Sequence, residues 1–200
     1  MPAKSLAEQF ELKIGAGIPG LVVRSWEHED AIEEMRQVCC DPANQWNLAT
    51  FDLDEGMTVF QEHNKRWLRV PMWFEETTGE NGARLYVTQA EIMRDAGKAI
   101  CGLPGLSHNK TIEIQGQEHQ PPAILVMKNH QRWLNTPGLV QLTANRLWQY
   151  KQKGCHLVLL SPTTELPIEL QKLFESGHIK HPLPDRDQIR EVIAHAAKLH

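Results

Sequence analysis

The sequence lacks several features that would place it at once in a class of proteins. No apolar run approaches the roughly 18 residues that a membrane-spanning helix needs, and the first residues contain no apolar core of a signal peptide. Only four cysteines occur among 200 residues, and no two of them have the C-x-x-C spacing of a zinc or redox site. We therefore expect a reduced, cytoplasmic protein without a membrane partner and without a metal site.

An excess of basic charge is also absent. The chain has 21 Lys and Arg against 25 Asp and Glu, which gives a formal net charge of −4. Nucleic-acid partners usually require a basic stripe, so the charge favours no nucleic-acid partner. Apolar residues make up 41% of the chain, which is enough for a buried core and typical of a globular protein.

Short apolar runs alternate with segments of helical period. The run A-I-L-V-M at 123–127 is continuous and follows two prolines, as is typical of a strand buried in the centre of a parallel sheet. The predicted strands are 20–26, 46–53, 65–74, 84–87, 111–114, 123–127, 156–160 and 179–183. Residues 75–82 are predicted as a hairpin loop, and most of 101–122 as loop.

Helix starts are marked by capping signals. Ser5 and Glu8 have the spacing of a capping box, and Pro137 follows Thr136 at the start of another helix. We expect the latter helix to bury Val140, Ala144, Leu147 and Trp148. The predicted helices begin near 5, 29, 88, 136, 166 and 185.

This alternation predicts an α/β fold with three layers, a parallel sheet with helices on both faces. Ligands of such sheets bind beyond the carboxyl ends of the strands. The polar residues at those ends are Ser25, Lys128, Asn129 and Ser161, which could form a crevice for a small molecule or a nucleotide.

Other candidate sites have weaker patterns. G-A-G-I-P-G at 15–20 spells a dinucleotide-binding motif, but a helix precedes it and a strand follows it, the reverse of the required order. The ten histidines include no H-x-x-x-H or H-E-x-x-H spacing. Asp52, Asp54 and Glu55 are interpreted as a solvated loop, and Ser161 with His130 as base lacks a nucleophile elbow.

Four aromatic side chains in the middle of the chain allow two interpretations. They are Trp67, Trp73, Phe74 and Tyr86. An exposed group would indicate a protein-binding surface, whereas a buried group would form a small satellite core beneath a long loop. The sequence does not decide between them.

Two segments carry a resemblance to a known family. The late part contains C-H-L-V-L-L-S-P, E-L-P-I-E-L and then P-L-P-D at 182–185, and the early part has G-I-P, a strand and S-W-E-H-E at 25–29. This order resembles an AAA ATPase domain, with Ser161 at the position of the sensor residue. The likeness is greatest to the degenerate amino-terminal domain of tandem AAA ATPases of the plastid and cyanobacterial type. It covers about 1–54 and 120–200, so 56–120 is expected to be an insertion in a single domain of residues 1–200 with an irregular β content.

The residues that bind and cleave ATP in that family are missing. A P-loop needs G-x-x-x-x-G-K-[ST], but the only Gly-Lys pair, Gly97-Lys98, is followed by Ala99. Lys128-Asn129 stands where the acidic pair that holds Mg²⁺ would follow its strand. The resemblance therefore implies a P-loop NTPase-like fold without a P-loop and without catalytic residues. It implies an assembly or regulatory module with protein partners or self-association, and with ATP and Mg²⁺ bound by a following catalytic domain.

Overall fold

The computed structural model describes residues 4–70, 77–78, 84–85, 94–107, 112–114, 117–119 and 121–181. Its strands are β1 (Gly20–Arg24), β2 (Asn47–Asp52), β3 (Gly56–Gln61), β4 (Arg66–Arg69), β5 (Thr77–Thr78), β6 (Arg84–Leu85), β7 (Ile112–Ile114), β8 (Gln117–His119), β9 (Ala123–Lys128), β10 (Cys155–Ser161) and β11 (His178–Lys180). Its α-helices are α1 (Leu6–Gly15), α2 (His28–Cys39), α3 (Ala96–Ser107), α4 (Pro137–Lys153) and α5 (Ile168–Phe174).

The main sheet has seven strands in the order β11-β1-β10-β9-β2-β3-β4. The first five are parallel, whereas β3 and β4 extend the sheet by two antiparallel pairings. Alternate residues of a strand face opposite sides, so Val22 packs in one core and Leu21 and Val23 pack in the other. Helices α1 and α2 cover one face, and α3, α4 and α5 cover the second. The predicted α/β fold with helices on both faces is confirmed.

The helix starts follow the capping signals. Ser5 and Glu8 form the capping box that was predicted, and Leu6, Phe10 and Ile14 are buried. Helix α4 begins at Pro137 and ends at Lys153, and the capping residue Gly154 adopts the left-handed conformation.

The predicted buried face of α4 is partly wrong. Val140 and Leu147 are buried as expected, but Trp148 is 67% exposed and Tyr150 is fully buried in its stead. At about 100° per residue, Leu147, Thr143 and Tyr150 lie about 20°, 60° and 80° to one side of Val140, whereas Trp148 lies about 80° to its other side. The buried stripe therefore runs through Thr143 and Tyr150 and leaves Trp148 in solvent.

Helix α3 contradicts the predicted loop over 101–122. It continues to Ser107 although Pro104 lies in its interior. Ile100, Leu103 and Leu106 are buried against the sheet, and this packing outweighs the poor helix propensity of the segment. Because Pro104 has no N–H, it cannot bond the carbonyl of Ile100, and the buried Tyr150 hydroxyl donates to that carbonyl instead.

The described part of the middle of the chain contains more strands than the sequence predicted. Strand β3 was not predicted, and with β4 it continues the main sheet. The predicted strand near 111–114 pairs with β8. The predicted hairpin, with strands 65–74 and 84–87 around a loop at 75–82, is wrong in its pairing: β4 pairs with β3, and β6 pairs with β5, which lies within the predicted loop. The helix starts expected near 88 and 185 lie outside the described residues. The division into one domain with an insertion at 56–120 stays a prediction.

Candidate functional site at the carboxyl edge of the sheet

The carboxyl ends of the parallel strands meet at one edge of the sheet, where the site was expected. Ser25 follows β1, Asp52 ends β2, Lys128 ends β9 and Ser161 ends β10. The connection from β1 to α2 contains only residues 25–27.

In the part of the chain that the structure describes, no helix is long and apolar enough to cross a membrane.

Ser25 is buried, and its hydrogen bonds connect β1, α2 and the residue after β11. Its Oγ lies 2.7 Å from Nδ1 of His181, and it accepts a hydrogen bond from the amide of Glu27 at 3.0 Å. Nε2 of His181 lies 3.2 Å from the carboxylate of Glu34 on α2. The hydroxyl therefore ties the end of β1 to α2 and to the residue after β11.

Ser161 is also buried, and its hydrogen bonds stay within the protein. Its Oγ donates to Oε1 of Gln131 at 2.7 Å and accepts from the amide of Thr163 at 3.1 Å. Nε2 of His130 instead lies 3.4 Å from the carbonyl of Glu165. The two residues weighed as nucleophile and base therefore bond to different partners.

Lys128 forms the centre of an ion cluster. Its Nζ lies 2.9 Å from Oδ2 of Asp52 and 3.4 Å from Oε1 of Glu29 at the start of α2. The Lys128 and Asp52 side chains are 16% and 19% exposed, so this pair is largely shielded from water. The ammonium group thus joins the ends of β9 and β2 to the first turn of α2.

Both partners of this pair have perturbed acidities. Burial alone would raise the pKa of Asp52, but the amide of Glu55 and the ammonium of Lys128 outweigh it and lower that pKa. Burial alone would lower the pKa of Lys128, but the carboxylates of Asp52 and Glu29 outweigh it and raise that pKa. Each group is therefore held in its charged form.

The turn after β2 completes the pairing of Asp52. Its Oδ1 accepts from the amides of Asp54 and Glu55 at 2.9 and 2.6 Å, while Oδ2 faces Lys128. The sequence interpretation of Asp52 as part of a solvated loop is therefore wrong, because its carboxylate is paired and largely shielded from water. Asp54 and Glu55 themselves are exposed.

A groove of about 670 Å³ opens beside the ion cluster. Its wall contains both acidic and basic side chains, so it has no single sign of charge. It is lined by His28, Glu29, Asp52, Leu53, Asp54, Glu55, Lys128, Asn129, Arg132 and Trp133.

The four residues predicted for a crevice are divided between two environments. Lys128 and Asn129 line the groove, and Asn129 turns the chain with a left-handed φ of 54°. Ser25 and Ser161 do not line it; they are adjacent to each other, since the amide of Ser25 donates to the carbonyl of Ser161 at 3.0 Å. Nucleotide binding by these four residues is not tested by this geometry and stays a prediction.

Sequence reasoning missed the side chains that partner these residues. Gln131, Glu34 and His181 had no motif to mark them, and His181 is 156 positions from Ser25 in the chain. Glu29 could have been found, because a carboxylate in the first turn of a helix after β1 must lie at the same edge as Lys128.

His130 is a buried neutral side chain at this edge. It is fully buried, its Nδ1 has no partner among the described residues, and it begins a short 3-10 helix at His130–Arg132. Burial lowers its pKa to about 4, although the carbonyl of Glu165 acts in the opposite direction. At neutral pH it is therefore an uncharged hydrogen-bond donor to that carbonyl.

Comparison with known families agrees with this architecture. The family model for the N-terminal domain of SpoVK-like AAA ATPases matches residues 6–95 and 106–176. The chain belongs to this family. The match includes most of 56–120, a region in which the sequence motifs had shown no resemblance to the family. None of the curated proteins compared with the chain matches it.

Proposed function

We propose that this AAA N-terminal domain is a non-catalytic module, degenerate in its nucleotide site, that acts in assembly or regulation. It would precede a catalytic AAA domain in a longer protein, as in tandem ATPases of the plastid and cyanobacterial type. ATP and Mg²⁺ would then be bound by the following domain. The observation that carries this proposal is the three-residue turn between β1 and α2, where the fold would need a phosphate-binding loop.

A turn of this length cannot surround a triphosphate. A P-loop spans eight residues, and its successive backbone amides point at the phosphate oxygens. Here the amide of Glu27 is bonded to the Ser25 hydroxyl and is not available to a phosphate. Glu29 and Asp30 in the first turn of α2 add negative charge where a helix N-terminus would otherwise attract an anion.

The ion cluster also opposes a magnesium site. Mg²⁺ is usually held by one or two carboxylates together with substrate phosphates and water. The carboxylates nearest the β9 end are those of Asp52 and Glu29, and the ammonium of Lys128 lies between them. A bound dication would have to displace that ammonium or be repelled by it.

Hydrolysis and thermal stabilisation test this proposal together. We expect the purified chain to show no ATP hydrolysis above background and no rise in melting temperature with Mg-ATP, since only a ligand of the native state stabilises it. The Lys128→Met variant serves as the control, because activity from a contaminant would not change with it. Turnover that disappears in this variant would contradict the proposal.

Exposed apolar side chains support a role in assembly. Trp26 in the β1–α2 turn, Trp148 on α4 and Ile168 on α5 are 70%, 67% and 79% exposed. Protein partners or self-association would cover such side chains. Sedimentation velocity over a concentration series tests self-association, with Trp148→Ser compared against wild type. A sedimentation coefficient that does not change with concentration would leave a different protein as the partner.

The groove favours a second candidate function, the binding of a small molecule or nucleotide. Its volume of about 670 Å³ lies in the range of ligand sites, and Lys128, Asn129 and Arg132 offer donors. This candidate predicts stabilisation by some compound in a thermal-shift screen, and it predicts that Arg132→Ala weakens that effect. A flat screen would count against it.

A further inference from the structure

Strand β4 is the edge of the main sheet and is exposed along its whole length. It pairs with β3 on one side, and no strand among the described residues pairs with its other side. All four of its residues, R-W-L-R at 66–69, are exposed. An exposed edge offers unpaired backbone donors and acceptors to another extended chain.

The side chains of this edge are basic at its ends and apolar in its middle. The guanidinium groups of Arg66 and Arg69 form no ion pair and no hydrogen bond within the described part of the chain, and the backbone amide of Arg66 donates to Oδ1 of Asn64. Between them, Trp67 and Leu68 are 37% and 42% exposed. The ring of Trp67 is fixed by an edge-to-face contact with Phe60 at 5.3 Å between centroids.

The two arginines lie on opposite faces of the sheet, because they are three positions apart in a strand. Arg66 shares its face with Leu68, and Arg69 shares the other with Trp67. A chain that paired with β4 would therefore present one residue to each arginine and two residues to the apolar positions between them. Acidic residues at the outer positions and apolar ones at the inner positions complement this pattern.

A second copy of this chain fits the edge poorly. Symmetric antiparallel pairing of β4 with itself brings residues of the same face opposite one another. Arg66 would meet Leu68 of the other copy in the register centred on Trp67, and Arg69 would meet Trp67 in the register centred on Leu68, so neither arginine would meet a carboxylate. The opposite edge of the described sheet, β11, is H-I-K and offers no carboxylate either. Neither edge of the described sheet supplies a carboxylate to the arginines, so their charges favour a different, acidic partner.

We propose that β4 is a docking edge for an extended acidic segment of a partner protein, which adds to the sheet as an eighth strand with the pattern acidic, apolar, apolar, acidic. Main-chain hydrogen bonds hold the segment, and Arg66 and Arg69 select its charge. This inference does not depend on whether the chain binds nucleotide.

Fluorescence anisotropy with synthetic peptides tests the docking edge. The probe is a short labelled peptide with the central sequence Glu-Val-Val-Glu, compared with Lys-Val-Val-Lys and with the rearranged Glu-Glu-Val-Val. We expect saturable binding of the first peptide only. Absence of binding by that peptide overturns the inference, since the arginines would then serve only to discourage edge-to-edge aggregation. Equal binding of the rearranged peptide overturns it as well, because the charge alone would be read.

Matched charge reversals locate the binding. Arg66→Glu/Arg69→Glu should lower the affinity for the peptide by about tenfold or more, because two surface ion pairs are lost and replaced by repulsion. Lys151→Glu/Lys172→Glu changes the net charge equally at exposed positions near the ends of α4 and α5, and should leave binding unchanged. Equal weakening by both pairs would contradict docking on β4.

Backbone methylation of the peptide distinguishes strand addition from side-chain contact alone. Alternate amides of an added strand point toward β4 and away from it. Methylation of one alternate set should abolish binding, and methylation of the other should preserve it. Equal effects of the two methylated sets on binding would contradict addition of the peptide as an eighth strand.

Discussion

The five parallel strands and the antiparallel extension of β3 and β4 are parts of one sheet with opposite environments. In β10 every residue is buried, and in β9 only the last residue is not. In β4 every residue is exposed. The parallel strands are covered by helices on both faces and build the core, whereas the extension ends in an exposed edge strand whose two arginines form no ion pair within the described part of the chain.

This difference separates the strands that build the core from the strand that is open to solvent. The parallel part retains the strand order and the convergence of strand ends, but its polar residues there bond to one another. Ser25, Ser161 and Lys128 all have partners within the protein. Under the proposals above, interaction with other molecules would take place on surfaces outside this framework.

The largest expected effect is a loss of stability at Gly177, where the chain closely approaches the backbone of Gly20 in the parallel part. A Cβ on Gly177 would lie 2.0 Å from the carbonyl oxygen of Gly20, which is backbone and cannot move aside. We expect Gly177→Ala to lower the free energy of unfolding by about 3 kcal/mol or more. Urea denaturation measures it. Gly138→Ala is the control, since its Cβ meets nothing within 4 Å, and a loss as large there would contradict this explanation.

The next effect concerns α3, which packs against the sheet and contains Pro104. Tyr150→Phe leaves the Ile100 carbonyl, which Pro104 cannot bond, without its donor, so we expect a loss of about 2 kcal/mol in the free energy of unfolding. Pro104→Ala supplies an amide to that carbonyl. In a double-mutant cycle, Tyr150→Phe should therefore cost about 1 kcal/mol less in the Pro104→Ala background. Strict additivity would show that the hydroxyl does not compensate for the proline.

Acid should weaken the parallel part through His130. Its pKa is about 4 when folded and 6.5 in its ordinary state, so the unfolded chain binds the proton first and stability falls as pH drops from 6.5 toward 4. His130→Gln keeps a donor for the Glu165 carbonyl but does not titrate. Between pH 7 and pH 5 wild type should lose about 2 kcal/mol more than this variant in urea titrations. Parallel pH profiles would contradict a buried neutral histidine.

The smallest effect is expected in the extension. Arg66 and Arg69 are exposed and free of ion pairs in the described structure, so Arg66→Glu/Arg69→Glu should change the free energy of unfolding by less than about 0.5 kcal/mol. The same urea titration measures it. A loss of several kcal/mol would mean that these arginines stabilise the fold, and the contrast between the two parts of the sheet would disappear.

The parallel part was predictable because its signals are local. The A-I-L-V-M run of β9 and the capping box at Ser5 required no knowledge of distant residues. The continuation of helix α3 beyond Ile100 was missed because burial of Leu103 and Leu106 outweighs the poor helix propensity of Pro104. At the carboxyl edge the positions of Ser25 and Ser161 were predictable, but their burial and their bonds to His181 and Gln131 depend on packing between distant segments.

Isothermal titration calorimetry with Mg-ATP tests most directly whether the carboxyl edge has lost its nucleotide site. The short turn at 25–27 and the Lys128–Asp52 pair predict no binding heat for Mg-ATP or for ADP. Saturable binding to wild type that is lost in Lys128→Met would contradict this prediction, because the groove would then hold phosphates without a P-loop.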